Sequence, residues 1–308
     1  MDILLCKGCG TLRASRVLAP ETVYVEGYHK GEGDLHPFDY TAPLSLEHER
    51  LNNSKRLDHL REHVRGGRLL DVGGGIGTLA SQAIELGFDA TNLEPISEAV
   101  EYSKARSVPT ILGTLDDLDP STPPYDAITM MHVLEHLPEC RRALESIWGW
   151  LLPGGYVMVE VPHYGSMSRI ASGQAWLGWW PGQHIYYFKK QSLSDVMRRA
   201  GFEVVDIGTS VLAFDGLILD HYAYIVGLGP PLKKVLQLRR RFRGKGTSFH
   251  PGRPGRPDST APVAATPSPI RDQPLKRRLI LPVLKRLARV EEALGVGETL
   301  WAIGKRPL

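Results

Sequence analysis

The stretch Leu69–Ala80, LLDVGGGIGTLA, sets an aliphatic run ending in the acid Asp71 directly before four glycines in five positions. Glycine this concentrated marks backbone at positive φ, or main chain approached closely by another molecule. RLLDV before it reads as a buried strand, and TLASQAIELG after it as a helix closed by Gly87. Such a strand–loop–helix carries its ligand at the carboxyl end of the strand.

Working outward, strands and helices alternate. FDATNLE is a second strand and SEAVEYSKARS a helix with Ser97 as its N-cap. VPTILG and YDAITMMHV are strands three and four, PECRRALESIWGWL is a helix, and GGYVMVEVP is strand five. A helix QSLSDVMRRAG and a strand FEVVDIG follow, and ETLWAIGKRP has the character of a closing strand antiparallel to FEVVDIG. Upstream, Leu46, Leu51, Leu57, Leu60 and Val64 suggest a helix over 45–64. The expectation is an α/β, Rossmann-like fold. It has a mainly parallel seven-stranded sheet, helices on both faces and an antiparallel last strand.

The chain has 308 residues, 42% hydrophobic and 23% charged, with three cysteines. That composition fits a globular protein without a disulfide scaffold. No signal-like start or membrane-length apolar run is apparent, so a cytoplasmic protein is expected, with peripheral membrane contact as the variant. Four parts are expected. Residues 1–45 form an N-terminal segment, and 46–228 a core with an aromatic cap insertion at 163–188. Residues 229–295 are basic helices flanking a disordered Pro-rich linker at 246–274, and 296–308 is the closing strand. Residues 233–289 hold 16 Lys or Arg against 2 Asp or Glu, so the net charge of +3 hides an acidic remainder. Within the second basic helix Pro282 is expected to kink the helix or delay its start.

Dinucleotide loops follow G-x-G-x-x-G, whereas glycines 73, 75 and 77 give G-x-G-x-G, with Thr78 where a dinucleotide loop has its last glycine. Glu94, ending strand two in TNLEP, suits a ribose diol. With HVLEHL after strand four, the LLPGG turn into strand five and HIYYF before QSL…AGFEVV, the chain from Leu69 to Val205 resembles the class I S-adenosylmethionine-dependent methyltransferases. The resemblance is to the small-molecule type that acts on sugars and natural products. It implies S-adenosylmethionine as cofactor. Asp71, Gly73, Gly74, Gly75 and Gly77 would form the loop beneath it, Glu94 and Pro95 would hold its ribose, Thr114 and Leu115 its adenine, and His132 would stand at the end of strand four. The implied reaction is O-methylation of a sugar, glycan or secondary metabolite. C-methylation is the alternative, because CKGCG (Cys6–Gly10) resembles a knuckle of sugar C-methyltransferases. A cofactor-binding partner protein without turnover is a further alternative.

A hydroxyl acceptor needs a general base, and histidine is the usual one. His132, His136, His163 and His184 fall outside the carboxyl ends of the strands; His184 is the first expected base or substrate contact and His163 the second. HVLEHL also resembles the E-V-x-E-H of methyltransferases for which the family implies a divalent metal. By that resemblance His132, Glu135 and His136, with His184, are candidate ligands, and a metal-free turn is the expectation. Cys6 and Cys9 could hold zinc only with ligands such as His29 and His36, so a metal-free remnant is expected. Trp176, Trp179, Trp180, Tyr186, Tyr187 and Phe188 form either a lid over the acceptor or ordinary cap packing. Residues 233–289 read as a solvated face or as a surface for an anionic membrane or phosphorylated acceptor; nucleic acid is not expected, since the aromatics do not interleave with the charges.

Overall fold

A computed structural model describes residues 2–23, 27–30, 39–180, 182–211 and 274–308. Its strands are β1 (Ile3–Leu5), β2 (Leu12–Ala14), β3 (Gly67–Val72), β4 (Phe88–Glu94), β5 (Thr110–Leu112), β6 (Tyr125–Met131), β7 (Leu151–Pro162), β8 (Tyr186–Tyr187), β9 (Glu203–Ser210) and β10 (Thr299–Lys305). Seven of them make one sheet in the order β5-β4-β3-β6-β7-β10-β9. β3 to β7 run parallel, as the alternation with helices requires, and β10 is antiparallel to both neighbours. The closing strand thus pairs with FEVVDIG as expected, and it also inserts against β7.

Successive side chains of a strand point to opposite faces, and β3 uses both. Leu69 packs with Leu57 and Leu60 of the helix Pro43–Arg61 and with Leu79 of the helix Thr78–Glu85. Leu70 packs on the other face with Ile128, Val157, and Leu144 and Ile147 of the helix Cys140–Trp150. Each such fully buried leucine is worth about 1.5–3 kcal/mol. These two layers hold the carboxyl ends of β3, β4 and β6 level, and the glycine loop opens there.

Two helix boundaries differ in detail from the sequence reading. Ser97 is the first helical residue of Ser97–Ala105 and Ile96 stands at the cap, its N–H taken by Glu94 Oε1 at 2.9 Å. The carboxylate of the preceding strand end thus does the capping expected of the serine. The helix Pro274–Leu294 continues across Pro282. Residues 212–273 lie outside the described residues, and with them the first basic stretch and the linker up to residue 273.

A second, three-stranded antiparallel sheet, β1-β2-β8, joins the N-terminal segment to the aromatic cap. Ala14 N–H donates to the Ile185 carbonyl and Leu18 N–H to the Gly182 carbonyl, both at 2.8 Å. Within the cap, Trp179 meets Trp176 edge-on at 5.5 Å between ring centroids, and Tyr187 at 5.0 Å. No helix among the described residues is long and apolar enough to cross a membrane.

Candidate active site

At the end of β3 the chain turns through Gly73 (φ +65°) and Gly75 (φ +54°), conformations that favour glycine. A Cβ on Gly73 would stand 2.6 Å from Val133 Cγ2, and one on Gly74 would strike the Asp71 carboxylate and the Asn92 amide oxygen. The loop therefore has to be bare on its inner side. Gly73 N–H donates to the Leu93 carbonyl at 2.7 Å, which fastens the loop to β4. Gly77 lies behind the loop, where a Cβ would collide with Ser103.

Glu94 is buried at the end of β4. Its Oε2 accepts the Gly75 N–H and its Oε1 the Ile96 N–H, each at 2.9 Å. Burial raises its pKa, and these two backbone bonds oppose the rise. A carboxylate has about four acceptor sites, so two remain for a vicinal diol. Asp71, buried beside it, accepts the Thr129 hydroxyl at 2.7 Å through Oδ1, while Oδ2 has no hydrogen-bond partner among the described residues. Burial pushes its pKa up to about 7 against the Thr129 bond and the Arg56 charge.

These groups line one cleft of about 1730 Å³, together with Gly73, Gly74 and Gly75, Pro95, Thr114, Leu115 and His132. That exceeds the roughly 300–1,000 Å³ of a single small-ligand pocket and leaves space for a cofactor and an acceptor together. The Thr114 hydroxyl and N–H both bond Asp117 Oδ2 at 2.8 Å, which fixes the turn carrying Leu115. Eight acidic side chains line the cleft against three Lys and Arg, a balance that suits a cationic ligand. Bare loop, buried diol acceptor and negative lining fit S-adenosylmethionine.

One wall of the cleft is built by residues the sequence reading gave little weight. Tyr28, His29 and Tyr40 from the N-terminal segment line the cleft. They are held by Glu98, which accepts Gly27 N–H at 2.8 Å and pairs with Lys30 Nζ at 2.6 Å. His29 Nε2 faces the glycine loop, 3.2 Å from where a Gly75 Cβ would be, and burial pulls its pKa down to about 4. His29 entered the sequence reading only as a zinc candidate. The pair Tyr28-His29 lies in a segment without periodicity, so nothing local assigned it to the site.

His132 sits at φ +55°, a strained conformation for a side-chain-bearing residue. Its Nδ1 is 3.4 Å from Glu135 Oε1 and its Nε2 3.1 Å from Glu160 Oε1. Burial lowers the pKa of His132, but the two carboxylates outweigh it and hold the imidazole up to about 9. Glu160 is held in turn by Arg56, whose Nη2 lies 2.5 Å away; burial raises the Glu160 pKa, and Arg56 and His132 bring it down to about 2. His163 and His184 are not among the cleft-lining residues. His163 Nδ1 is bound to the Gly297 carbonyl at 3.0 Å and His184 Nδ1 to the Gly178 carbonyl at 2.8 Å. Trp176, Trp179 and Trp180 also stand away from the cleft lining. Cys6 and Cys9 are free thiols, and His36 lies outside the described residues.

Residues 46–207 match the model of a family described as a methyltransferase domain, more than half of the chain. The chain belongs to this methyltransferase family. It is a class I S-adenosylmethionine-dependent methyltransferase. The methyltransferase is 26% identical over 170 residues to the ubiquinone biosynthesis O-methyltransferase of Xylella fastidiosa (strain M23), covering 50% of this chain and 69% of that protein. It is 25% identical over 204 residues to the protein of that name from Idiomarina loihiensis, covering 58% and 82%. Among solved structures it resembles phosphoethanolamine N-methyltransferase 2 of Haemonchus contortus in complex with S-adenosyl-L-methionine. There the TM-score is 0.50 at 14% identity, over 92% of this chain and 60% of that one, a likeness of fold.

Proposed function

We propose that the methyltransferase O-methylates a hydroxyl group on a small molecule carrying a hydroxylated ring, and that His29 takes the hydroxyl proton. The observation that carries this reading is the His29 imidazole. It lines the cleft and presents Nε2 toward the glycine loop. S-adenosylmethionine supplies, when bound, a methyl group on a positively charged sulfur. Asp71, the glycine loop, Glu94, Pro95 and Leu115 bind and orient it, with Thr114 fixing the turn. Tyr28 and Tyr40 are pushed above the usual phenol range by burial, so they stay neutral beside the acceptor. The names of the curated relatives support oxygen as the acceptor atom.

The test is S-adenosylhomocysteine formation by the purified chain against catechol-type phenols and free monosaccharides. With an active acceptor, His29→Asn is expected to lower kcat by about 10²–10⁴-fold while cofactor affinity stays within a few-fold. Unchanged kcat would remove His29 as the base, and a product methylated on carbon or nitrogen would remove the O-methylation reading.

The helix Pro274–Leu294 supports an anionic membrane surface as the place where the acceptor is met. Val283, Leu287, Val290 and Leu294 are exposed at helical spacing, and Lys285, Arg286 and Arg289 lie between them. Sedimentation with phosphatidylserine vesicles at low salt is expected to carry the protein down, and raised salt to release it. Absence of binding at low salt would end that part of the reading.

A further inference from the structure

The chain's three cysteines gather at one corner of the fold, although Cys140 lies far along the chain from Cys6 and Cys9. Cys6 and Cys9 sit in the turn between β1 and β2. There Cys6 N–H donates to the Thr11 carbonyl at 2.9 Å and Gly10 N–H to the Cys6 carbonyl at 2.8 Å. The second bond closes a five-residue turn, which the chain leaves through Gly10 at φ +70°. A closed turn of this size brings side chains three positions apart within the reach of a disulfide.

The two sulfurs are set up differently. Cys6 is exposed, and its sulfur accepts hydrogen bonds from Cys9 Sγ and from the backbone N–H groups of Gly8 and Cys9, which hold its pKa below the ordinary thiol range. Such donors favour the thiolate, the form that attacks a disulfide. Cys9 is half-buried and stands behind it, with Sγ 3.1 Å from the hydroxyl of the buried Thr11. Cys140, the first residue of the helix Cys140–Trp150, is buried near Cys9. Burial, with smaller contributions from Glu139 and Cys9, raises its pKa to about 11 against hydrogen bonds from Arg141 and Tyr186. It stays a protonated thiol, and the reactive sulfur of the chain is the pair in the turn.

We propose that Cys6 and Cys9 form an oxidant-responsive dithiol that reacts with low-molecular-weight disulfides of the glutathione class. The Cys6 sulfur attacks one sulfur of the small disulfide, forming a mixed disulfide and releasing one thiol. Cys9 then gives up its proton and attacks the Cys6 sulfur, which forms the Cys6–Cys9 bond and releases the second thiol. The chain loses two hydrogens with their electrons, and the small disulfide is reduced to two thiols. In a reducing compartment such pairs are transient and sense the thiol balance. The new bond braces the hairpin β1–β2, and β2 holds β8 of the cap through the Leu12–Tyr187 and Arg13–Tyr186 pairs. The Tyr186 hydroxyl donates to the carbonyl of the cleft-lining Pro138 at 2.8 Å, so one strand pairing and one hydrogen bond join the turn to the cleft wall.

The test equilibrates the reduced full chain with mixtures of reduced and oxidised glutathione at neutral pH, quenches with acid, and maps the thiols by alkylation and mass spectrometry. Loss of two hydrogens is expected, confined to the peptide that holds Cys6 and Cys9 and reversed by dithiothreitol. Cys9→Ser is expected to stop at a glutathione adduct on Cys6. Cys6→Ser is expected to react about ten-fold or more slowly, with S-adenosylmethionine still binding as proof of folding. If either variant fails to fold, rapid acid quenching of the wild-type chain decides, and a transient adduct on Cys6 is expected before the internal disulfide. Adducts spread evenly over the cysteines, a disulfide to Cys140 or between two chains, or zinc that purifies with the reduced chain and shields both thiols would each overturn the proposal.

Discussion

Gly75 N–H donates a 2.9 Å hydrogen bond to Glu94 Oε2, so the glycine loop is fastened to the carboxylate proposed above to hold the cofactor. Glutamine at position 94 keeps one acceptor oxygen but sets an NH₂ against either Gly75 or Ile96, both of which donate. Glu94→Gln is therefore expected to weaken S-adenosylmethionine binding about 10–100-fold, in line with about 1.5–3 kcal/mol for a charge-assisted bond. Calorimetric titration measures it. Affinity within two-fold of wild type would reduce Glu94 to a loop anchor.

Gly75→Ala acts on backbone and neighbour together. Position 75 has φ +54° and its Cβ would sit 3.2 Å from His29 Nε2. The left-handed conformation costs alanine about 1–2 kcal/mol, and the imidazole must give way. Denaturant titration reads the first effect and kcat the second. A double-mutant cycle with His29→Asn is expected to be non-additive in kcat, because the alanine has no imidazole left to displace.

Asp71 gives the enzyme a pH dependence of stability with a definite sign. Its pKa rises from the ordinary 3.8 to about 7 on folding, chiefly through burial. Between those values the folded chain keeps a proton that the unfolded chain releases, so this group's contribution is full below pH 3.8 and is lost as pH rises through 7. Asp71→Asn keeps an acceptor for Thr129 and removes the titration. From about pH 5 to 8 the wild type is expected to lose on the order of 1–3 kcal/mol relative to the variant, measured by urea unfolding at each pH. Parallel pH profiles would contradict this.

Arg56 and Glu160 form a buried pair, and without Arg56 the Glu160 carboxylate keeps only His132 beside it. Arg56→Met is expected to cost about 3–5 kcal/mol, with part of the loss recovered in Arg56→Met/Glu160→Met, where the fully buried carboxylate is gone as well. Urea denaturation of the two variants and wild type provides the comparison.

The parts legible in the sequence were those with local signatures. The β3 glycines, Glu94 at the end of β4 and the alternation from β3 to β7 were readable because period, spacing and turn chemistry are written within a few residues. Gly77 stood in the same motif yet lies behind the loop against Ser103, since motif spacing does not say which glycine faces the ligand. His29 was legible as a chemically capable residue but not as part of the site. Its place depends on the Lys30–Glu98 and Gly27–Glu98 contacts across some seventy residues, for which the chain has no periodic signal. His163 and His184 illustrate the converse: each follows the strand the sequence reading pointed to, but neither lines the cleft and the Nδ1 of each is taken by a backbone carbonyl, of Gly297 and Gly178.

The place of β10 has a consequence for how the protein is made. β9 meets the rest of the sheet solely through β10, and Thr299 bonds Ser210 from 89 residues further along the chain. During synthesis β3 to β7 can assemble as soon as they leave the ribosome, while β9 must wait, and β7 presents a raw hydrogen-bonding edge until residues 299–305 arrive. A nascent chain stalled before Thr299 would carry the whole cofactor loop on an unfinished sheet, ready to recruit a chaperone or a second nascent copy.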